Sequence, residues 1–284
     1  MRPSGLRGAR VYAAVVLTGT TIVALAMHAL HISVSERGAA GFILAAMWMP
    51  ALARFVATRT VDRGWQSPWP WRRWGKPGLA IVIVPLVTVT VIYVGAYALA
   101  TLAGVPRSDP SWARGRVAAN VLVNLPILSI IGGVGALGEE LGWRGYLQPR
   151  LDQLNVRYSL LWMIALETLF HLPLIVLAGY LGATDLGASI ALFLALGVGL
   201  TPVWTWATYR WRTVWMAVFF HTFHNAVSQV LVPKALGEGN PLLLGESGVF
   251  PVTGYLIAGL VVFLILRSRG QTWGMFARSV LGSG

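Results

Sequence analysis

The chain has 284 residues, 56% of them hydrophobic and only 11% charged, with a net charge of +12 and no cysteine. Soluble domains carry about 25% charged residues, so this composition excludes an ordinary soluble protein and points to the bilayer. The missing cysteine excludes disulfides and cysteine catalysis. The basic residues are scattered along the chain instead of gathered in one compact domain, which excludes nucleic acid as a partner.

A bilayer crossing needs roughly 20 apolar residues, and eight segments qualify. The first, Val11–Leu30, follows Arg2, Arg7 and Arg10. Arginines before an apolar run resemble a signal peptide, and Ala24-Leu25-Ala26 resembles a cleavage site. With seven further spans to come, a retained first helix is expected. His28 and His31, at its far end, read as interfacial. The second span, Ala39–Thr58, is interrupted by Arg54, which lies near one end and could snorkel to the headgroups. The connection Arg59–Lys76 interleaves Trp65, Trp69, Trp71 and Trp74 with arginines. It reads as a headgroup-level segment or as a solvated loop with aromatic anchors, and Pro68 and Pro70 argue against one long helix there.

The third span is Gly78–Gly104. The fourth, Val117–Gly138 and onward, carries no charge over its first 22 residues and holds the kink candidates Pro126, Gly132, Gly133 and Gly135. Then come Tyr158–Tyr180, Leu186–Tyr209, Thr213–Val232 and Val249–Leu266. The tail from Arg267 is short and polar, and is expected to fray. The chain shows no internal repeat and no separate soluble domain.

The basic residues alternate with the spans. Sixteen of the 22 fall in segments on the N-terminal side of the membrane and five in the opposite loops, with Arg54 inside a span. Cytoplasmic loops are rich in Lys and Arg, so both termini are predicted to be cytoplasmic. The fold class predicted is all-α, a polytopic protein of the cell (inner) membrane with about eight transmembrane helices.

Seven of the ten acidic residues fall in predicted loops: Glu36, Asp62, Asp109, Asp152, Asp185, Glu238 and Glu246. The other three, Glu139, Glu140 and Glu167, lie in apolar stretches, where a polar cluster marks a functional site. Glu140 and Arg144 are i,i+4, so the guanidinium can hold that carboxylate. Glu139 is turned about 100° away and faces something else. Glu167 and His171 are i,i+4 on the fifth span, and His221 and Asn225 on the seventh. Three helices thus each carry a polar face, and mutual contact is the cheapest arrangement.

A carboxylate in an apolar site is a competent general base. A histidine beside it can hold a water, and a second histidine with an amide can donate to an oxyanion. Those parts suffice for peptide hydrolysis. Glu139, His171 and His221, with Glu167 as a further ligand, could instead bind a metal such as zinc that activates water. No H-E-x-x-H motif is present. Each pair taken singly also has a structural reading, as an ion pair capping a span or as glue between helices. His224 is turned to another face and reads as structural.

Taken together and in this order, the three pairs resemble the CPBP family of intramembrane proteases, the CAAX proteases and bacteriocin-processing enzymes also called the Abi family. Its Glu-Glu-x-x-x-Arg motif is matched by Glu139, Glu140 and Arg144, and its His-x-x-x-Asn motif by His221 and Asn225. Its aromatic-x-x-x-His motif is matched at His171, followed by Leu172-Pro173. Glu167 stands where the aromatic belongs, though Phe170 adjoins the histidine. The resemblance covers about Val117 to Val232. It divides the chain into N-terminal helices and the Trp/Arg-rich loop (1–116), a catalytic core (117–232), and a last helix with its tail (233–284).

The resemblance implies an active site in the bilayer, open to the cytosol. It puts Glu139 in the role of base, His171 beside it on the water, His221 and Asn225 at the oxyanion, and Glu140 with Arg144 in support. The implied partners are a peptide or protein substrate at the membrane, prenylated or bearing a leader, and the lipid itself. Two other readings keep the same pocket: a non-catalytic scaffold or immunity factor of this fold, and a proton-coupled transporter, which would favour an internal repeat.

Overall fold

A computed structural model describes residues 5–69, 78–182 and 185–282. The described residues form helices and connecting turns, with no β-strand beyond one isolated bridge, Arg107 to Gly239. A backbone inside lipid must satisfy its own hydrogen bonds, which a helix does locally. Seven helical segments among the described residues are long and apolar enough to cross a membrane. They are α1 (Arg7–Ala29), α2 (Ala40–Thr60), α3 (Ala80–Leu102), α4 (Val117–Gly142), α6 (Ser159–Ala178), α7 (Leu186–Trp211) and α11 (Val249–Ser268). Their outward side chains are apolar: Val91 is 64% exposed, Leu122 74% and Ile130 72%. The chain is a multi-pass membrane protein.

The remaining predicted span, Thr213–Val232, is also helical. It runs as α8 (Trp215–Ala226), a π turn (Val227–Leu231) and α9 (Val232–Leu236), but is not among the seven. Its polar residues His221, His224, Asn225 and Gln229 lower its hydropathy. It tolerates them because α3, α4 and α7 pack around it.

The helices alternate in direction, so the bundle has two ends. At the terminus-bearing end, Gly8 lies against Asp62 and Tyr146, and the C-terminal helix α12 (Trp273–Leu281) docks through Trp273 and Arg212. At the distal end, Val34 bonds to Ala178, Trp112 to Lys234 and Ser108 to Glu238. His28 and His31 are exposed there.

α4 does not stop at Gly142. A π turn (Trp143–Leu147) carries it into α5 (Gln148–Gln153). α4 meets α2 along glycines: a Cβ on Gly135 would stand 2.5 Å from the Met47 sulfur, and one on Gly142 2.4 Å from Pro50. Small residues let two helices approach closely in lipid.

Three expectations fail here. Arg54 does not snorkel: it is half-buried and donates to the Leu141 carbonyl at 3.3 Å, beside the π turn. Trp65 donates to Gln153 at 2.8 Å, and Trp69 is buried against Tyr209 at a ring distance of 4.8 Å. That part of the Trp/Arg connection therefore folds onto the bundle; Trp71, Trp74, Arg72, Arg73 and Lys76 lie outside the described residues. Asp152, expected in a loop, lies in α5 and is buried; Asp62 lies in the turn after α2, as expected, but is buried too. Asp62 accepts from Arg150 at 2.7 and 2.9 Å and from Tyr146 at 2.8 Å. Asp152 accepts from Gln148, Ser159, Tyr209 and Trp273.

Candidate active site

The site forms where α4, α6, α7 and α8 meet. Glu140 is fully buried. Its carboxylate accepts from Arg144 Nη1 at 3.1 and 3.2 Å, the i,i+4 pair expected, and meets His221 Nδ1 at 3.0 Å, a contact the spacing did not foretell. Arg144 sits in the π turn and also grips Glu167: Nη1 holds one carboxylate oxygen and Nη2 the other at 3.3 Å. Thr201 of α7 donates to Glu167 Oε2 at 2.9 Å. The guanidinium lies over the Trp204 ring, 5.4 Å from its centre. Two carboxylates thus share one cation and are tied to three helices.

Glu139 is held less firmly. Its nearest donor is the Trp143 indole at 3.4 Å, and His221 Nε2 stands 3.9 Å away, beyond hydrogen-bond range. A buried carboxylate with so little support is costly in an apolar surrounding, and this one faces a cavity.

His171 Nδ1 donates to the Glu167 backbone carbonyl at 2.8 Å. That bond fixes the tautomer and leaves Nε2 unprotonated. The ring is clamped by Phe170 at 4.7 Å, Phe193 at 4.8 Å and Tyr180 at 5.7 Å. The aromatic contact missing four residues before His171 is therefore supplied from other positions. The Glu167 carboxylate meanwhile faces Arg144 and Thr201, and only its backbone touches the His171 ring.

Glu139, His171, His221 and Asn225 all line one cavity of about 590 Å³. Its other walls are mostly aliphatic, including Ile43, Leu44, Met47, Leu128, Ile131 and Leu174. A smaller recess of about 60 Å³ lies behind, bounded by Glu140, Glu167, Thr201, His224 and Glu246 among others.

Glu246 was read as a loop acid. It reaches back from the α10–α11 connection into the bundle, α10 being Pro241–Leu244. His224 Nε2 meets it at 3.1 Å, Gln229 donates at 2.8 Å and Tyr180 at 3.2 Å. His224 Nδ1 in turn meets the Tyr255 hydroxyl at 2.9 Å. Burial and the Glu246 carboxylate hold the Tyr180 phenol well above its ordinary pKa, so it stays a donor. His224 was the sole hint of this cluster, since a histidine in an apolar helix needs a partner.

Among the described residues, no three His, Asp or Glu side chains stand together as ligands. Glu167 is committed to Arg144 and Thr201, while His171 and His221 are each held through Nδ1 and keep Nε2 toward the cavity.

Residues 118–227 match the family model of the type II CAAX prenyl endopeptidase Rce1-like proteins. Over this stretch the chain is similar to the Rce1-like family. No curated protein matches the chain. The Rce1-like segment begins with α4 and ends two residues after Asn225, so Glu139, Glu140, Arg144, Glu167, His171, Thr201, His221 and Asn225 all fall inside it. Three of the aliphatic cavity residues, Ile43, Leu44 and Met47, come from α2, outside it. The family supports a CAAX-type endopeptidase in general terms.

Proposed function

We propose that the chain is an intramembrane endopeptidase that hydrolyses a peptide bond with a water activated by Glu139. The observation that carries this reading is a single, mostly apolar cavity lined by Glu139, His171, His221 and Asn225. Glu139 takes a proton from the water, whose oxygen attacks the scissile carbonyl carbon. His171 Nε2, left as an acceptor by its Nδ1 bond, orients that water. The carbonyl π electrons move onto oxygen, and the oxyanion accepts from the Asn225 amide and from His221 Nε2–H. The His221 role needs the doubly protonated ring, whose charge Glu140 and Glu139 balance. Collapse breaks the C–N bond, and Glu139 returns its proton to the leaving amine. Arg144 acts at one remove: it fixes Glu140, which fixes His221.

The test is proteolysis by purified protein in nanodiscs against a peptide library that includes prenylated and leader peptides. Cleavage by the parent and none by Glu139→Gln is expected. Equal cleavage by both removes Glu139 from the mechanism. No cleavage of any peptide favours the non-catalytic scaffold.

A further inference from the structure

Glu246 lies beyond the Rce1-like segment, which ends at residue 227, yet it reaches the catalytic groups through two side chains. A tight turn brings it there. The Gly248 N–H donates to the Gly245 carbonyl at 2.9 Å, with Glu246 and Ser247 between them. A Cβ on Gly245 would stand 2.5 Å from the Pro241 carbonyl oxygen, and one on Gly248 2.5 Å from the Leu243 backbone. Only glycine fits at both positions. The Tyr93 hydroxyl of α3 donates to the Glu246 carbonyl at 2.9 Å and pins the turn to the bundle.

Tyr180 comes to meet it. Gly179 ends α6 in the left-handed region, at φ 69°, a conformation that costs glycine nothing. The chain folds back, and the Tyr180 N–H donates to the Leu174 carbonyl at 3.2 Å. The Tyr180 ring is then stacked on His171, 28° from parallel, and its hydroxyl donates to Glu246 at 3.2 Å. The second arm is His224, three residues past His221 on α8, which meets Glu246 at 3.1 Å. His224 and His221 also share the Trp204 ring, at 5.7 and 5.4 Å.

One carboxylate thus ties the end of α6, which carries His171, to α8, which carries His221 and Asn225. The Nδ1 bond fixes one point of the His171 ring. The tilt of Nε2 is set by the rings packed on its faces, Tyr180 and Phe193, and of these Tyr180 carries the polar tether. Glu246 also bounds the recess of about 60 Å³ behind the site, together with Glu139, His171, His221 and Asn225.

We infer that Glu246 is a positioning residue for the peptidase reaction: through Tyr180 and His224 it fixes where His171 Nε2 stands relative to the His221–Asn225 pair. It touches no reacting atom. The inference rests on the peptidase reading and deepens it, because it makes the α10–α11 connection part of the site.

The test uses the full chain in nanodiscs and two readouts. The first is kcat and KM per folded molecule on a peptide that the parent cleaves. Tyr180→Phe keeps the stacked ring and loses only the tether, while Glu246→Ala removes the anchor. Each is expected to lower kcat by ~10–10²-fold, the range for misplaced catalytic groups, with KM unchanged. The double variant should be no worse than Glu246→Ala, since both changes act through one contact. Glu246→Gln, whose amide oxygen still accepts from Tyr180, should recover most of the loss. Parent-like kcat in Tyr180→Phe and Glu246→Ala, with a lowered melting temperature, makes Glu246 a stability anchor and overturns the inference. The second readout is the ring-nitrogen resonances of His171 in histidine-labelled protein, assigned by their absence in His171→Gln. They should shift in Tyr180→Phe and Glu246→Ala and stay in place in Glu238→Gln, which alters an exposed carboxylate of the preceding loop. Unshifted resonances in both tether variants, or the same shift in Glu238→Gln, overturn the inference. If Glu246→Ala does not fold, Tyr180→Phe carries the same test. This readout needs no turnover. A parent that cleaves nothing removes the peptidase reading, and the resonances still decide whether Glu246 sets the ring.

Discussion

Two regions of this bundle both bury carboxylates, but in opposite ways. At the terminus-bearing end Asp62 takes two bonds from Arg150 and one from Tyr146, and Asp152 takes donors from four side chains. Neither carboxylate lines the large cavity. Deeper in the bundle, Glu139 has one long indole contact and a histidine at 3.9 Å, and it lines about 590 Å³ of open space. Satisfied charges hold helices together; an under-satisfied one is available for chemistry. Glu140 and Glu167 stand between the two regimes, since both are fully engaged yet touch the residues that are not.

Substitutions can break this comparison at graded strength. The largest effect is expected at Arg144. Removing its guanidinium leaves Glu140 and Glu167 buried without their cation, and losing one partner of a buried pair costs about 3–5 kcal/mol. Arg144→Ala should melt well below the parent in detergent and lose activity with it. Arg144→Lys should recover little, because one ammonium cannot serve both carboxylates with forked geometry. A parent-like melting curve for Arg144→Ala would show that the shared cation carries no stability.

Next comes His171→Ala. Losing the group that orients water should cost at least ~10²-fold in turnover. The melting temperature should fall only modestly, because the aromatic clamp stays. A large loss of stability with little loss of turnover per folded molecule would make His171 a packing residue.

At the terminus-bearing end, Asp152→Ala removes an acceptor from four donors, and a loss of about 1–3 kcal/mol is expected. Turnover per folded molecule should be unchanged. A selective loss of turnover would mean that the two regions are not separate in function.

The smallest effect is expected at Thr201→Val, where one hydrogen bond to Glu167 is removed, at about 0.5–1.5 kcal/mol. Because the Glu167 carboxylate faces Thr201 and Arg144 instead of the His171 ring, Thr201→Val should not move the pH–activity profile. A shifted acidic limb would restore Glu167 as a direct partner of His171.

What the sequence made legible was local. Apolar runs marked the spans, and i,i+4 spacing paired Glu140 with Arg144 on one face. The same spacing put Asn225 one turn beyond His221. What stayed hidden was whatever joins residues far apart in the chain. Glu140 to His221, Arg144 to Glu167, Glu167 to Thr201 and Glu246 to His224 have no spacing rule. Arg54 reads as a snorkelling residue until the Leu141 carbonyl at the π turn is known. The π turns themselves, after Gly142 and Ala226, leave no local signature, although such turns recur at functional sites. Glu167 shows the limit well. Its place one turn before His171 left two readings open, a partner of that ring or a residue held by another helix, and its side chain turns to Arg144 and Thr201.

The central claim is that Glu139 acts and the fully paired carboxylates hold. It is tested most directly by measuring turnover and melting temperature together for Glu139→Gln and Asp62→Asn in nanodiscs. The account predicts opposite signatures. Glu139→Gln should keep or raise the melting temperature, since it removes an under-satisfied buried charge, and should lose at least ~10²-fold in turnover. Asp62→Asn should lower the melting temperature and leave turnover per folded molecule intact. Parent-like turnover in Glu139→Gln, or equal losses of activity in both variants, would contradict it.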